Sequence, residues 1–439
     1  METKKLFKTY LKYLVPTIGS MILYSTYTMV DGIFVGQGVG PLALSAVNVS
    51  MPYVTLSFAS AILLAIGTSN LITYSLGRGR IQRGNQYFTM GLSLALGVSV
   101  VISLVAYLNL NSLALLLGSE PEIHEYVLAY LGTIILFSPF FCMTYMFEIM
   151  VKADRHPHLA IIFMVVSALT NIILDYVFIY IFHLGVRGAA IATGISQVLP
   201  CIGYTLHFLS DRSNLKFAKF KMRRIDLRDM IRFGFPAALT EMSTGFTILV
   251  FNQVIANHYG VNGLAVFSVI VYLMNLIVNT MLSIVQSSQP LLSYNFGAKN
   301  MTHVKRLRKY VLYTILVSSS IMVLLIQLFP NVVLSIFLNH MEADFIELAV
   351  RAMRLFSSSF LILGFNIGIG GYLTAVQRPR DELIISLMRG YIVVALVVFT
   401  FPNLFGSSII WLCLTISELI TLIISLYFLR RERLHRTHA

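Results

Sequence analysis

Apolar residues run along this chain in blocks too long for one face of a soluble helix. Twelve such runs, most of about 20 residues or more, stand between short polar breaks. They cover 14–35, 45–75, 88–108, 124–147, 159–181 and 188–209, then 234–256, 265–290, 310–330, 346–374, 383–402 and 407–429. In hydrocarbon the backbone groups of a segment must bond within it, so each run is read as a helix. The second, eighth and tenth are long enough to tilt or to extend past the bilayer. The pattern predicts an all-α integral membrane protein of twelve transmembrane helices.

The runs fall into two sets of six that resemble each other. Pro16 matches Pro236, and Tyr74 and Gly77 match Tyr294 and Gly297, all at a shift of 220. Ala43 matches Ala265 and Pro157 matches Pro379 at a shift of 222. The organisation read from this is an N-terminal lobe over 1–209, a polar and basic connector over 210–232, and a C-terminal lobe over 233–439. An even number of spans per lobe makes the repeat parallel, about an axis along the membrane normal. Two pseudo-symmetric lobes around a central cleft suit alternating access.

Composition agrees. Charged residues make up 12% and hydrophobic residues 57% of the chain, against about 25% charge in soluble domains. The net charge of +13 could suggest nucleic acid. However, 28 of the 32 Lys and Arg lie in the N-terminal arm, in the loops after spans 2, 4, 6, 8 and 10, and in the C-terminal tail. All of these fall on one side of a twelve-span protein. Arg187 aside, the opposite loops are neutral or acidic, with Glu120, Glu122, Glu125, Glu342, Asp344 and Glu347. This asymmetry places both termini in the cytoplasm of a multi-pass cell-membrane protein. It leaves no basic domain for nucleic acid, while anionic lipid is a natural contact. Lys4, Lys5, Lys8 and Lys12 precede an apolar run too long for a signal peptide, and no small-residue cleavage site follows it. The three cysteines, Cys142, Cys201 and Cys413, lie far apart and suggest neither disulfide nor metal spacing.

Ionisable groups within spans are costly, and each is a candidate site. Asp31, Asp175, Glu241, Glu418 and Arg389 qualify. Helical rise puts Asp31 ~22 Å and Asp175 ~24 Å above the inner membrane edge, with Thr193 at ~22 Å. Asn171 and Tyr27 lie one turn below Asp175 and Asp31 on the same helix faces. Spans 1, 5 and 6 thus offer carboxylate, amide and hydroxyl oxygens at one depth, a donor set for Na⁺ or a proton. The alternative is that Asp175 and Asn171 only bond neighbouring helices. The repeat places Phe251 opposite Asp31, and Val397 and Val393 opposite Asp175 and Asn171. The second lobe therefore lacks this cluster. Glu241 and Arg389 both come out ~8–9 Å above the cytoplasmic edge. They are read as an ion pair between spans 7 and 11, with Glu241 as a cleft-facing contact for cationic substrate as the alternative. Glu418 is mid-span, and packing or substrate contact are both open. Glu148 is read as an i,i+4 partner of Lys152.

The chain resembles the multidrug and toxic compound extrusion (MATE) family of bacterial exporters. The resemblance rests on Pro16, on Val30-Asp31-Gly32-Ile33-Phe34-Val35-Gly36 and on Leu42-Ala43-Leu44-Ser45. It continues through Gly67-Thr68-Ser69, Gly77, Asn171-Ile172-Ile173-Leu174-Asp175 and Ala189-Ala190-Ile191-Ala192-Thr193 to Gln289-Pro290-Leu291-Leu292-Ser293-Tyr294-Asn295-Phe296-Gly297-Ala298. It implies V-shaped six-helix lobes and export of organic cations, dyes and fluoroquinolone-like drugs against inward Na⁺ or H⁺, with no cofactor, by a monomer. It also implies that the N-lobe cation network falls on Tyr27, Asp31, Asn171, Asp175 and Thr193. The chain departs from the pattern at span 7, where Thr244 stands at a coupling Glu of some members and Glu241 is one turn away. An acidic residue of span 10 is also missing; Asn366 is the nearest polar candidate.

Two rival functions follow from the same residues. A lipid-linked oligosaccharide flippase of the wider superfamily would need a basic cavity. Outside the cytoplasmic segments only Arg187, Arg351, Arg354 and Arg389 remain. A membrane-embedded enzyme would need a nucleophile with its base, or His and carboxylate ligands, at one depth. The ten His fall mostly in loops and tails, and none matches Asp31 or Asp175 in height.

Overall fold

A computed structural model describes residues 2–337 and 343–437. Within these, the side chains at 2, 3, 25, 26, 28, 29, 41, 44, 261, 262, 265, 336, 337, 343–345 and 433–437 stand outside the description. The loop acids Glu342 and Asp344, the tail residues Arg433 and Arg436, the repeat landmark Ala265 and the motif residue Leu44 therefore lie outside the described residues or side chains.

The described chain is helical, with no strand among the described residues. The first half comprises α1 (Glu2–Gly38), α2 (Pro41–Gly77), α3 (Ile81–Leu108), α4 (Leu110–Leu116), α5 (His124–Ala153), α6 (His158–Asp175) and α7 (Gly185–Leu209). The second comprises α8 (Arg224–Gly297), α9 (Met301–Leu328), α10 (Pro330–Phe337), α11 (Ala343–Ser357), α12 (Ser359–Ala375), α13 (Pro379–Leu387), α14 (Val393–Phe405) and α15 (Ile410–Thr437). Two π-helical stretches interrupt the pattern, Tyr176–Ile181 after α6 and Met388–Ile392 between α13 and α14.

Ten of the described helical segments are long and apolar enough to cross a membrane. The other two predicted spans lie in α1 and in the 224–259 arm of α8. Gly260, with φ 59 and ψ −148, breaks α8 into two arms. The tenth predicted run divides at Ser358 into α11 and α12, and the short α4 and α10 extend spans 3 and 9. In no spanning segment found is more than 56% of the apolar window buried in the protein. Large apolar side chains such as Leu108, Leu206 and Ile423 are exposed. Such faces need lipid as solvent.

The repeat is visible in the backbone. Left-handed φ values occur at Gly40 and Gly260, Gly79 and Lys299, Arg155 and Gln377, and Gly185 and Gly406, which are 220, 220, 222 and 221 residues apart. The turns between helices recur with the sequence landmarks.

Two compact units emerge, one of residues 8–238 with 297–299, the other of 1–7, 239–296 and 300–439. In the first, α5 is the central helix and packs on α2, α3 and α7. Its core joins Phe88, Met146, Phe147, Met150, Tyr204, Phe208, Leu215 and Met230. Leu215 belongs to the polar connector, which folds onto this unit. Gly67 lies so close to the Met230 carbonyl, and Gly234 to the Leu63 carbonyl, that an added Cβ at either would collide with it. Small residues thus let α2 and the start of α8 touch backbone to backbone. Hydroxyls join helices elsewhere, with Ser138 on α5 bonded to Tyr53 at 2.9 Å and to Ser103 at 2.7 Å. In the second unit α12 packs on α9, α13 and α15, and α14 packs on α15. Phe251, Phe267, Phe356 and Phe360 form an aromatic cluster with centroid spacings of 5.4–6.1 Å.

Candidate functional site

The five residues predicted from depth converge within the first unit. Tyr27 and Asp31 come from α1, Asn171 and Asp175 from α6, and Thr193 from α7. α1 lies against α6, where Gly19 meets Ile161, Gly38 meets Ile179, and the Phe34 and Tyr180 rings contact edge to face at 5.9 Å. The α7 residues Ala189, Ala190 and Ala192 are fully buried, so that face is small enough for Thr193 to approach α6. Val35, Ile134, Ile179, Val186, Ala189 and Ala190 pack into one apolar cluster with Tyr130.

Asn171 and Asp175 are wholly buried, and Tyr27 is 5% exposed. Asn171 Nδ2 donates to Thr193 Oγ1 at 3.3 Å, and Thr193 donates to the Ala189 carbonyl at 3.0 Å. The carboxyls of Asp31 and Asp175 lie within hydrogen-bond reach of each other. Asp31 Oδ1, Asn171 Oδ1 and both oxygens of Asp175 are buried with no protein donor among the described residues. Buried polar atoms are rarely left so. Oxygens gathered without donors fit a small hard cation or a shared proton. Position 175 is also where α6 gives way to its π-helical stretch, a distortion often found at functional sites.

One participant was not anticipated. Tyr130 on α5 is buried and lies within electrostatic range of Asp31, Asp175 and Tyr24, as Tyr27 does of both aspartates and of Tyr130. Counting depth along span 4 would have flagged it, but a tyrosine in an apolar run reads first as packing.

The second unit corrects one expectation. Arg389 pairs with Glu418 of α15, with Nε to Oε1 at 3.0 Å, and not with Glu241. Asn366 Nδ2 donates to Glu418 Oε2 at 2.7 Å and to its carbonyl at 2.9 Å, while Ser425 donates to Asn366 Oδ1 at 2.9 Å. Glu418, Asn366 and Arg389 are all at least 92% buried. On the α8 side of the same helix, contact is made by small groups instead, Thr240 with Ser386 at 3.1 Å and Ser243 against Gly390. That close approach leaves the guanidinium directed to α15. Glu241 is half-buried and has no hydrogen bond or ion pair among the described residues. The expected Glu148–Lys152 pair is present at 2.8 Å.

Comparison with known proteins adds the lineage. A family model for MatE matches residues 16–177 and again 236–400, two copies starting 220 residues apart at Pro16 and Pro236. The multidrug export protein MepA of Staphylococcus saprophyticus is 26% identical over 438 residues, covering 99% of this chain and 96% of the relative. MepA of Staphylococcus aureus (strain MSSA476) is also 26% identical, over 439 residues with the same coverage. Among solved structures, an outward-facing multidrug resistance MATE family transporter of the MOP superfamily superposes with a TM-score of 0.92 at 22% identity, covering 98% of this chain and 97% of that one. A MOP superfamily transporter from Pyrococcus furiosus, described as having a binding pocket of reverse polarity, gives 0.89 at 22% identity over 97% and 95%. With both halves matched by the family model and the fold shared over almost the whole length, the chain belongs to the MatE family.

Proposed function

We propose that the chain is a secondary active multidrug exporter that moves small amphipathic, cationic compounds out of the cell against inward Na⁺ or H⁺. The relatives named multidrug export protein support the substrate class. The observation that carries the coupling is the donor-free set of buried oxygens on Asp31, Asn171 and Asp175. A cation entering from outside binds between the two carboxyls and offsets their charge. Tyr27, Thr193 and Asn171 line the site beside them, with the Asn171 amide held on Thr193. Loss of that charge lets α1 bend and repack beside α6, which weakens drug binding and favours release outside. The lobes then rock, and the cation leaves to the cytoplasm. Such coupling requires the cation to bind one conformation more tightly than the other. Glu241, unpaired among the described residues, supplies a negative contact for a cationic substrate. Glu418 and Asn366 act through the internal network with Arg389. The placement of the basic residues supports a cell-membrane protein with both termini in the cytoplasm, and one chain carries the whole apparatus as a monomer.

The test is dye efflux from inverted vesicles energised in turn by a sodium gradient and a proton gradient. One of the two should drive transport by the wild-type protein and neither by Asp31→Asn at equal membrane abundance. Full dye export by Asp31→Asn would defeat the scheme.

A further inference from the structure

A second cluster of ligand-type side chains lies at the far end of the same unit. At the end of α5 the chain reverses through Arg155, held at φ 68, with Arg155 N bonded to the Lys152 carbonyl and His156 N to the Val151 carbonyl. The turn buries Asp154 completely. Its Oδ1 is saturated by the connector, accepting from Asn214 N at 2.7 Å, Leu215 N at 2.8 Å and Ser213 Oγ at 3.2 Å. Its Oδ2 faces two imidazoles, His207 Nε2 from the last turn of α7 at 2.8 Å and His156 Nδ1 at 3.0 Å. His156 Nδ1 is also 2.9 Å from the Asp154 carbonyl oxygen.

We propose that Asp154 Oδ2, His156 Nδ1 and His207 Nε2 form a binding site for a divalent transition-metal ion of the Zn²⁺, Co²⁺ or Ni²⁺ class. One ligand atom from each of the three residues lies within 4.8 Å of the other two. Metal–ligand bonds of about 2.1 Å set neighbouring ligands roughly 3–3.5 Å apart, so the carboxylate–imidazole edges already have nearly that spacing. Two imidazoles with one carboxylate are a ligand set these metals favour. Ligating carboxylates are themselves held by outer partners, and here two backbone N–H groups and a hydroxyl hold Oδ1.

The second half supplies an internal control. The same turn recurs at Gln377, with φ 66, Gln377 N bonded to the Thr374 carbonyl and Arg378 N to the Leu373 carbonyl. At the shift of 222, Val376, Arg378 and Leu429 stand at the positions of Asp154, His156 and His207. The fold therefore makes this turn without any of the three ligands. Their presence in one half is a property of that half, and an ion there would fasten the connector to the ends of α5 and α7.

The test uses full-length, tag-free protein in detergent, titrated with Co²⁺ by absorption and with Zn²⁺ by calorimetry. The wild-type chain should take one equivalent, and its melting temperature should rise with Zn²⁺. In the double variant His156→Asn, His207→Gln, side-chain amides keep an N–H near each imidazole nitrogen. Its metal-free melting temperature should stay close to wild type. Its metal affinity should fall beyond the ~10–100-fold that loss of an outer partner costs. If that variant does not fold, His207→Gln alone carries the same expectation. Asp31→Asn should bind the metal as wild type does, which separates this site from the carboxylate pair of α1 and α6. No saturable binding by wild type up to about 1 mM, or unchanged affinity in the histidine variants, would overturn the proposal.

Discussion

In the N-terminal half, α6 opens into a π-helical stretch at Tyr176, just after Asp175; in the C-terminal half, the helix in the same place of the repeat opens at Met388–Ile392, around Arg389. The charges have opposite sign and opposite company. Asp175 faces a second carboxyl, Asp31, and its oxygens meet no protein donor among the described residues. Arg389 meets Glu418, whose two carboxylate oxygens receive Arg389 and Asn366. Opposite Asp31 in the repeat, Phe251 is fully buried among aromatic rings, and Val393 and Val397 fill the places of Asn171 and Asp175. Both halves thus bury intramembrane charge, but among the described residues the Asp31–Asp175 pair has no resident counter-charge, whereas Glu418 has one in Arg389. A tethered guanidinium cannot leave its carboxylate, whereas a site without a resident cation is open to exchange. On the proposed mechanism, that contrast is why coupling belongs to one half.

The largest break in this comparison comes from Asp31→Asn or Asp175→Asn. Export of dye by energised vesicles should fall to the level of vesicles lacking the protein, with membrane abundance unchanged by immunoblot. Next is Glu418→Ala, which strands Arg389 in the bundle and should cost about 3–5 kcal/mol. A fall in the detergent melting temperature measures it. Replacing both partners, Arg389→Met with Glu418→Met, should restore most of that loss. Full stability in Glu418→Ala would show that the pair is not the internal counter-charge described here. Gly234→Ala drives a methyl group into the Leu63 carbonyl and should cost about 1–3 kcal/mol, read from the same melt. The smallest effect belongs to Asn171→Ala, which removes one oxygen and leaves the carboxyls. The cation concentration that half-activates transport should rise about tenfold, equivalent to about 1.4 kcal/mol.

Much of this was legible along the chain because lipid imposes simple rules. A spanning helix needs a fixed length of apolar residues, so the runs marked the helices with few errors. Constant helical rise converts sequence number into depth, so Tyr27, Asp31, Asn171, Asp175 and Thr193 could be placed at one level before any packing was known. Depth says nothing about direction around a helix axis. Glu241 matched Arg389 in height, but the guanidinium turned to Glu418. The π-helical stretch at 388–392 adds residues to a turn and changes which way a side chain points, and Gly390 lets Ser243 of α8 come too close for a charge to lie between.

The sequence by itself determined the twelve helices, the twofold repeat and the asymmetry of charge between its halves, because each follows from hydropathy, spacing and residue type alone. Only the tertiary structure decided which charges meet. It paired Arg389 with Glu418, brought Tyr130 within electrostatic range of the aspartates, and gathered Asp154, His156 and His207 from a turn and a helix end 53 residues apart. Such meetings depend on helix rotation and on where backbones can touch. Those are set by small residues and local distortions whose effect appears only once neighbouring helices are packed against them.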